Sequence, residues 1–146
     1  MASHTHDHCT CEGLRRLTRR MTVVYDGHLG KVGLTVGQYA LLVTIGAETL
    51  PLSRLAQRTA TDRTTLTRTL TPLIKAGWVV VVPGEDARTR LVTLTEAGRR
   101  KAETARAAWQ DAQDQIGAAL SPKLTDALHG MIDKAMKRLR PFVARN

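Results

Sequence analysis

Aromatic residues are nearly missing from this 146-residue chain, with one phenylalanine, two tyrosines and two tryptophans making up 3 % of it. Leu, Val, Ile and Ala must therefore fill the core, and the length suits one domain of ordinary size. Cysteine is scarcer still. Cys9 and Cys11 stand one residue apart, a spacing that makes a mutual structural bridge awkward and excludes a disulfide-stapled scaffold. No apolar run approaches the roughly 18–20 residues of a membrane span. The opening MASHTHDHCTC lacks the hydrophobic segment of a secretion signal. These absences lead us to expect a soluble, cytoplasmic protein without a membrane partner. Patterns of catalysis are missing as well: there is no nucleophile elbow, no phosphate-cradling glycine loop and no HExxH. Carboxylates stand singly on helix surfaces or in the wing and most histidines lie near the start, so the chain is not expected to be an enzyme or to require a cofactor.

Acidic residues are also in the minority, and the net charge is +9, which favours a polyanionic partner. The excess is not spread evenly. From Arg54 to Arg100 nine Lys/Arg face four Asp/Glu, and from Lys101 onward eight face five.

Residues 1–11 form a polar, His-rich leader. From Glu12 to about Lys31, Leu14, Leu17, Met21, Val24, Tyr25 and Leu29 recur at helical spacing. Thr35 precedes Gln38 by three residues, a capping box opening a second helix so apolar through Ile45 that it should be buried on several sides. Ser53 is a good N-cap for a short third helix. A fourth helix is expected from Asp62 to Ala76, with Leu66, Leu70, Leu73 and Ile74 turned inward and a bend near Pro72. Gly77 stops it. The β-rich runs Val79–Val82 and Leu91–Leu94 then form a hairpin around a long charged turn. Thr95 caps a fifth helix carrying Ala102, Ala105, Trp109, Ala112 and Ile116, and Ser121-Pro122 starts a sixth.

Ser53 to Gly98 thus reads as a helix-turn-helix followed by a basic two-stranded wing, suited to double-stranded DNA. Thr64, Thr65 and Arg68 are the base-edge candidates: threonine offers a hydroxyl and a methyl, and the arginine fork matches guanine O6 and N7. Six threonines between Thr61 and Thr71 are hard to justify by helix stability alone. Ser53, Arg54 and Arg63, at helix starts, are placed to touch phosphate.

The DRTTLTR segment, together with Asp86-x-Arg88 and the following LTEAG of residues 94–98, resembles the MarR family of winged-helix transcriptional regulators, over roughly Glu12 to Arg140. The resemblance implies a mainly α fold with a small β-wing. It assigns a winged helix-turn-helix to about 35–95 and dimerisation helices to about 12–32 and 96–142, within a single domain over 12–146. It also implies a homodimeric, ligand-responsive repressor on a pseudo-palindromic operator. Arg88 would enter the minor groove, Asp86 would orient it or pair with another arginine, and Arg90 would touch phosphate. A structural DNA-binding protein without site preference is the alternative that shares the basic charge.

Members of that family commonly hold small aromatic effectors between platform and DNA-binding domain, which makes Tyr25, His28 and Trp109 candidate liners. His4, His6, His8, Cys9 and Cys11 suggest a further alternative, a regulator sensing oxidants or a thiophilic metal ion through its thiols. Their spacing is not the C-x2-C of a structural zinc site.

Overall fold

The computed structural model describes residues 9–86 and 88–143. Its elements are α1 (Thr10–Leu29), a 3-10 turn (Gly30–Val32), α2 (Val36–Ile45), β1 (Leu50–Pro51), α3 (Leu52–Arg58), α4 (Arg63–Lys75), β2 (Val79–Pro83), β3 (Arg90–Leu94), α5 (Glu96–Leu120) and α6 (Pro122–Val143). The three strands form an antiparallel sheet in the order β1-β3-β2, with Leu50 opposite Val92 and Val79 opposite Leu94. The architecture is mainly α with a small β-wing, as the resemblance implied.

Local chemistry explains where most helices start and stop. Thr35 and Gln38 complete the reciprocal capping box at α2. The carboxylate of Asp26 also accepts the Val36 N–H at 2.7 Å, placing a negative charge at the positive end of α2 and tying it to α1. At the C-terminal end of α4, Gly77 adopts φ 74°. The Gly77 N–H reaches Ile74 O and the Trp78 N–H reaches Leu73 O, a Schellman stop that needs a residue comfortable in the left-handed region.

The core gathers Leu29, Leu42, Ile45, Leu55, Leu73, Val79 and Val92, all fully buried, from both the wing module and the long helices. α5 packs along α1 and also touches α2 and β3, so it belongs to both parts. Lys101 on α5 donates to the Val32 carbonyl, and its ammonium sits 4.7 Å from the centre of the Trp78 ring. One cation thereby joins the 3-10 turn after α1 to the base of the wing.

Several expectations are corrected. α1 begins at Thr10, two residues earlier than the apolar period suggested, with Cys9 as its N-cap. Ser53 is not an N-cap: Pro51 occupies that position and Ser53 lies inside the first turn of α3. Proline fits there because it has no N–H and its φ is already set. Ile74 does not join the inward stripe of α4; it is 42 % exposed, one position round the helix from the buried Leu73. Val43 is likewise open on the otherwise apolar α2. Within its expected bounds, α4 continues as helix through Pro72 to Lys75.

Candidate nucleic-acid interface

Asp62 begins the interface. Its carboxylate accepts the Thr65 N–H at 2.9 Å and the Thr65 hydroxyl at 2.7 Å. Those two bonds hold its pKa below the ordinary carboxylate value, the backbone N–H contributing most. The cap fixes the first turn of α4, and burial of Leu66, Leu70 and Leu73 fixes which face points out. Arg63, Thr64, Thr67, Arg68 and Thr71 are exposed, while Thr65 and Thr69 are half-buried on the flanks.

The threonines of α4 do more for the helix than composition implied. Thr67 donates its hydroxyl to Arg63 O at 2.8 Å, Thr69 to Thr65 O at 3.0 Å and Thr71 to Thr67 O at 2.9 Å. Thr65 spends its proton on Asp62. Among the described residues, Thr64 is the one threonine of this helix whose hydroxyl has no protein partner. Thr67 was not singled out from sequence. Its place on the exposed face follows from the i, i+3 spacing to Thr64.

On α3, Ser53 and Arg54 are exposed in the first turn. In the wing, β2 and β3 each run one residue further than the apolar pattern, to Pro83 and from Arg90. Asp86 holds the turn between them. Its carboxylate accepts the Thr89 hydroxyl at 2.8 Å, the Arg88 N–H at 2.9 Å and the Thr89 N–H at 2.7 Å. These bonds, the Thr89 hydroxyl foremost, hold its pKa below the ordinary value. Asp86 therefore sets the backbone that carries Arg88, and among the described residues it forms no ion pair with an arginine. Nor is any of Arg54, Arg63, Arg68, Arg88 and Arg90 held in an ion pair there. These five exposed cations are available to an outside anion.

Thr95 fastens the wing to the rest. Its hydroxyl donates to Gly77 O at 2.6 Å and accepts the Gly98 N–H at 3.0 Å, and its own N–H donates to Trp78 O at 3.0 Å. The end of α4, the root of β2 and the start of α5 meet on this one residue.

The remaining candidates separate. Tyr25 packs partly buried against the core, and burial raises its phenol pKa. His28 Nε2 bonds Gln115 Oε1 at 2.7 Å, joining α1 to α5. Trp109 packs on Tyr39 with ring centres 6.1 Å apart. The cleft of about 400 Å³ between α2 and α5 is lined by Tyr39, Val43, Leu94, Arg99, Ala102 and Arg106 among others, and Trp109 borders it only through Tyr39. His4, His6 and His8 lie outside the described residues. Cys9 and Cys11 are exposed free thiols, and no cluster of three or more metal-ligating side chains occurs among the described residues. No helix among them is long and apolar enough to cross a membrane.

A helix-turn-helix leading into a clamped hairpin, carried on long helices, defines a winged helix-turn-helix protein. The chain matches no protein-family model and no curated protein. Solved structures are similar over nearly all of it. MosR, a transcriptional regulator of M. tuberculosis in complex with DNA, is 32 % identical with a TM-score of 0.77, over 89 % of this chain and 98 % of that one. A probable transcriptional regulator from Pseudomonas aeruginosa is 30 % identical with a TM-score of 0.78, over 88 % and 98 %. A mutant MarR from E. coli, complexed with operator DNA, shares the fold at 22 % identity and a TM-score of 0.80, over 93 % and 99 %. The chain belongs to the MarR family of transcriptional regulators.

Proposed function

We propose that this protein is a homodimeric, effector-responsive repressor acting in the cytoplasm on a pseudo-palindromic DNA operator. The observation that carries the reading is the division of α4, with Leu66, Leu70 and Leu73 buried and Arg63, Thr64 and Arg68 exposed beside a wing whose Arg88 and Arg90 form no ion pair among the described residues. In this reading Thr64, Thr65 and Arg68 meet base edges in the major groove. Ser53, Arg54, Arg63 and Arg90 meet phosphates, and Arg88 enters the minor groove with Asp86 holding its turn. MosR at 32 % identity in complex with DNA supports it.

Dimerisation is supported by α6, which has Leu124, Met131, Ile132, Met136, Leu139 and Phe142 between 42 and 78 % exposed. A row of large apolar side chains along one helix loses its cost when a second copy covers it. Two copies would present their α4 helices about 34–36 Å apart, one turn of the duplex. The cleft between α2 and α5, where apolar Tyr39, Leu42, Val43, Leu94 and Ala102 meet Arg99, Glu103 and Arg106, supports a place for a small aromatic effector.

The test is salt-controlled binding of the reduced protein to duplexes tiled across the DNA upstream of its own gene, against scrambled duplexes of equal length. A preference of ~10³-fold or more for one tile is expected of a specific reader. Equal affinity for every duplex favours the general DNA-binding alternative.

The exposed thiols of Cys9 and Cys11, one at the cap and one in the first turn of α1, support a second reading in which oxidation or a thiophilic metal releases the operator. Release by peroxide or Zn(II) in the native protein, lost when both Cys9→Ser and Cys11→Ser are made, is the expected result. An unchanged response in the double variant rejects this reading.

A further inference from the structure

Threonine brings two groups to a surface, and in α4 one of them is already committed. Thr67 and Thr71 are exposed on the same face, four residues apart, and each donates its hydroxyl proton to the carbonyl one turn back, at 2.8 and 2.9 Å. Donating either proton to a base would break that bond. With the proton spent, each side chain keeps its methyl and the acceptor side of its oxygen for an outside partner. Thr67 precedes Arg68 and Thr71 stands three residues after it, so all three lie on neighbouring positions of the exposed face.

The geometry points to Thr67 and Thr71 as readers of thymine C5-methyl groups beside the base that Arg68 engages, an inference that rests on the DNA-reading assignment of α4 made above. Thymine is the base that presents a methyl in the major groove, and it is read there by apolar contact. The exposed run from Thr64 to Thr71 spans on the order of 10 Å of helix, which covers about three base-pair steps. Within that span the helix offers one uncommitted hydroxyl at Thr64, one fork at Arg68 and the two methyls. A half-site in which thymines adjoin a guanine matches that order. Threonine costs helix propensity at both positions relative to lysine or glutamate. Serine could make the same bonds to the carbonyls, so the methyl is what threonine adds.

The experiment begins by selecting duplexes from a random-sequence pool with the full-length protein. Each thymine of the preferred duplex is then replaced in turn by deoxyuridine, which removes only the C5-methyl. Binding is expected to weaken about 4-fold for each thymine methyl that the helix reads, the equivalent of one buried methylene. Thr67→Ser and Thr71→Ser, which keep the hydroxyl, should each bind the thymine and deoxyuridine duplexes alike at the position they read. Thr67→Val and Thr71→Val, which keep a methyl, should still discriminate. Circular dichroism of each variant confirms an intact helix. A preferred duplex indifferent to deoxyuridine, or discrimination that survives in the serine variants, overturns this inference alone. A pool that yields no preferred duplex overturns the DNA-reading assignment and this inference with it.

Discussion

The backbone carbonyl of Trp78 occupies the place where a β-carbon on residue 98 would have to be: a Cβ built at Gly98 would stand 2.0 Å from that oxygen and 2.9 Å from its carbon. The start of α5 therefore lies directly on the root of the wing, and Thr95 locks the two together with three hydrogen bonds. The close approach explains why a glycine follows the cap in the LTEAG segment.

Gly98→Ala should accordingly destabilise the protein, because the obstacle is backbone and has no rotamer to change. Overpacking costs about 1–3 kcal/mol, and a conflict with main chain belongs at the upper end. Thermal unfolding is expected to shift down by about 5–10 °C for a chain of this size. An unchanged Tm would show that α5 is not seated as described.

The turn between α3 and α4 works the other way. Ala60 carries φ 49°, with its N–H on Gln57 O and the Thr61 N–H on Ala56 O. The helix stop is one that glycine usually provides. A β-carbon in that conformation costs roughly 1–2 kcal/mol. Ala60→Gly relieves it and loses part of the gain to the greater freedom of the unfolded chain, about 0.4–1 kcal/mol. A net rise in Tm of about 2–4 °C is expected, and a fall would contradict the strain argument.

These two positions mark what the residue pattern conveyed and what it did not. Capping signals are local, so Thr35 with Gln38, Gly77 and Ser121-Pro122 located their boundaries correctly. The stripe of Leu66, Leu70 and Leu73 placed the exposed face of α4 for the same reason. Ala60 left no trace because alanine does not announce a left-handed turn. The partner of Gly98 is twenty residues away, and no periodicity points to Trp78. The misplaced Ile74 shows that a 3.6-residue period cannot separate the edge of a stripe from its centre. Hydroxyl commitments in α4 depend on rotamers, which composition does not carry. The threonines read as groove chemistry alone are also part of the helix's own bonding.

Arg88 separates binding from folding. It is exposed and without an ion-pair partner among the described residues, so Arg88→Ala takes away nothing that the fold needs. Operator affinity is expected to fall by more than ~1 kcal/mol with the Tm unchanged. Arg90→Ala should instead lower affinity for all duplexes alike and reduce the slope of binding against salt by about 1, as removing a phosphate-binding cation does. Undiminished operator affinity for Arg88→Ala at physiological salt would remove it from the interface.

Asp86 gives the wing a defined acid limit. The Thr89 hydroxyl and the N–H groups of Arg88 and Thr89 bond its ionised form and hold its pKa below the ordinary carboxylate value. A lowered folded-state pKa means that the stabilisation is complete above the unfolded value of about 4 and is lost as pH falls through the lower folded value. The wing turn should thus keep one conformation from neutral pH down to about 5 and loosen only below about 4. The amide resonances of Arg88 and Thr89 report it directly, since both N–H groups donate to this carboxylate. Asp86→Asn retains one acceptor oxygen for those N–H groups, loses the charge, and should abolish the acid transition at both amides. A transition midpoint at or above the ordinary carboxylate value would mean that the three bonds do not form in solution, and Arg88 would then lose the clamp that aims it.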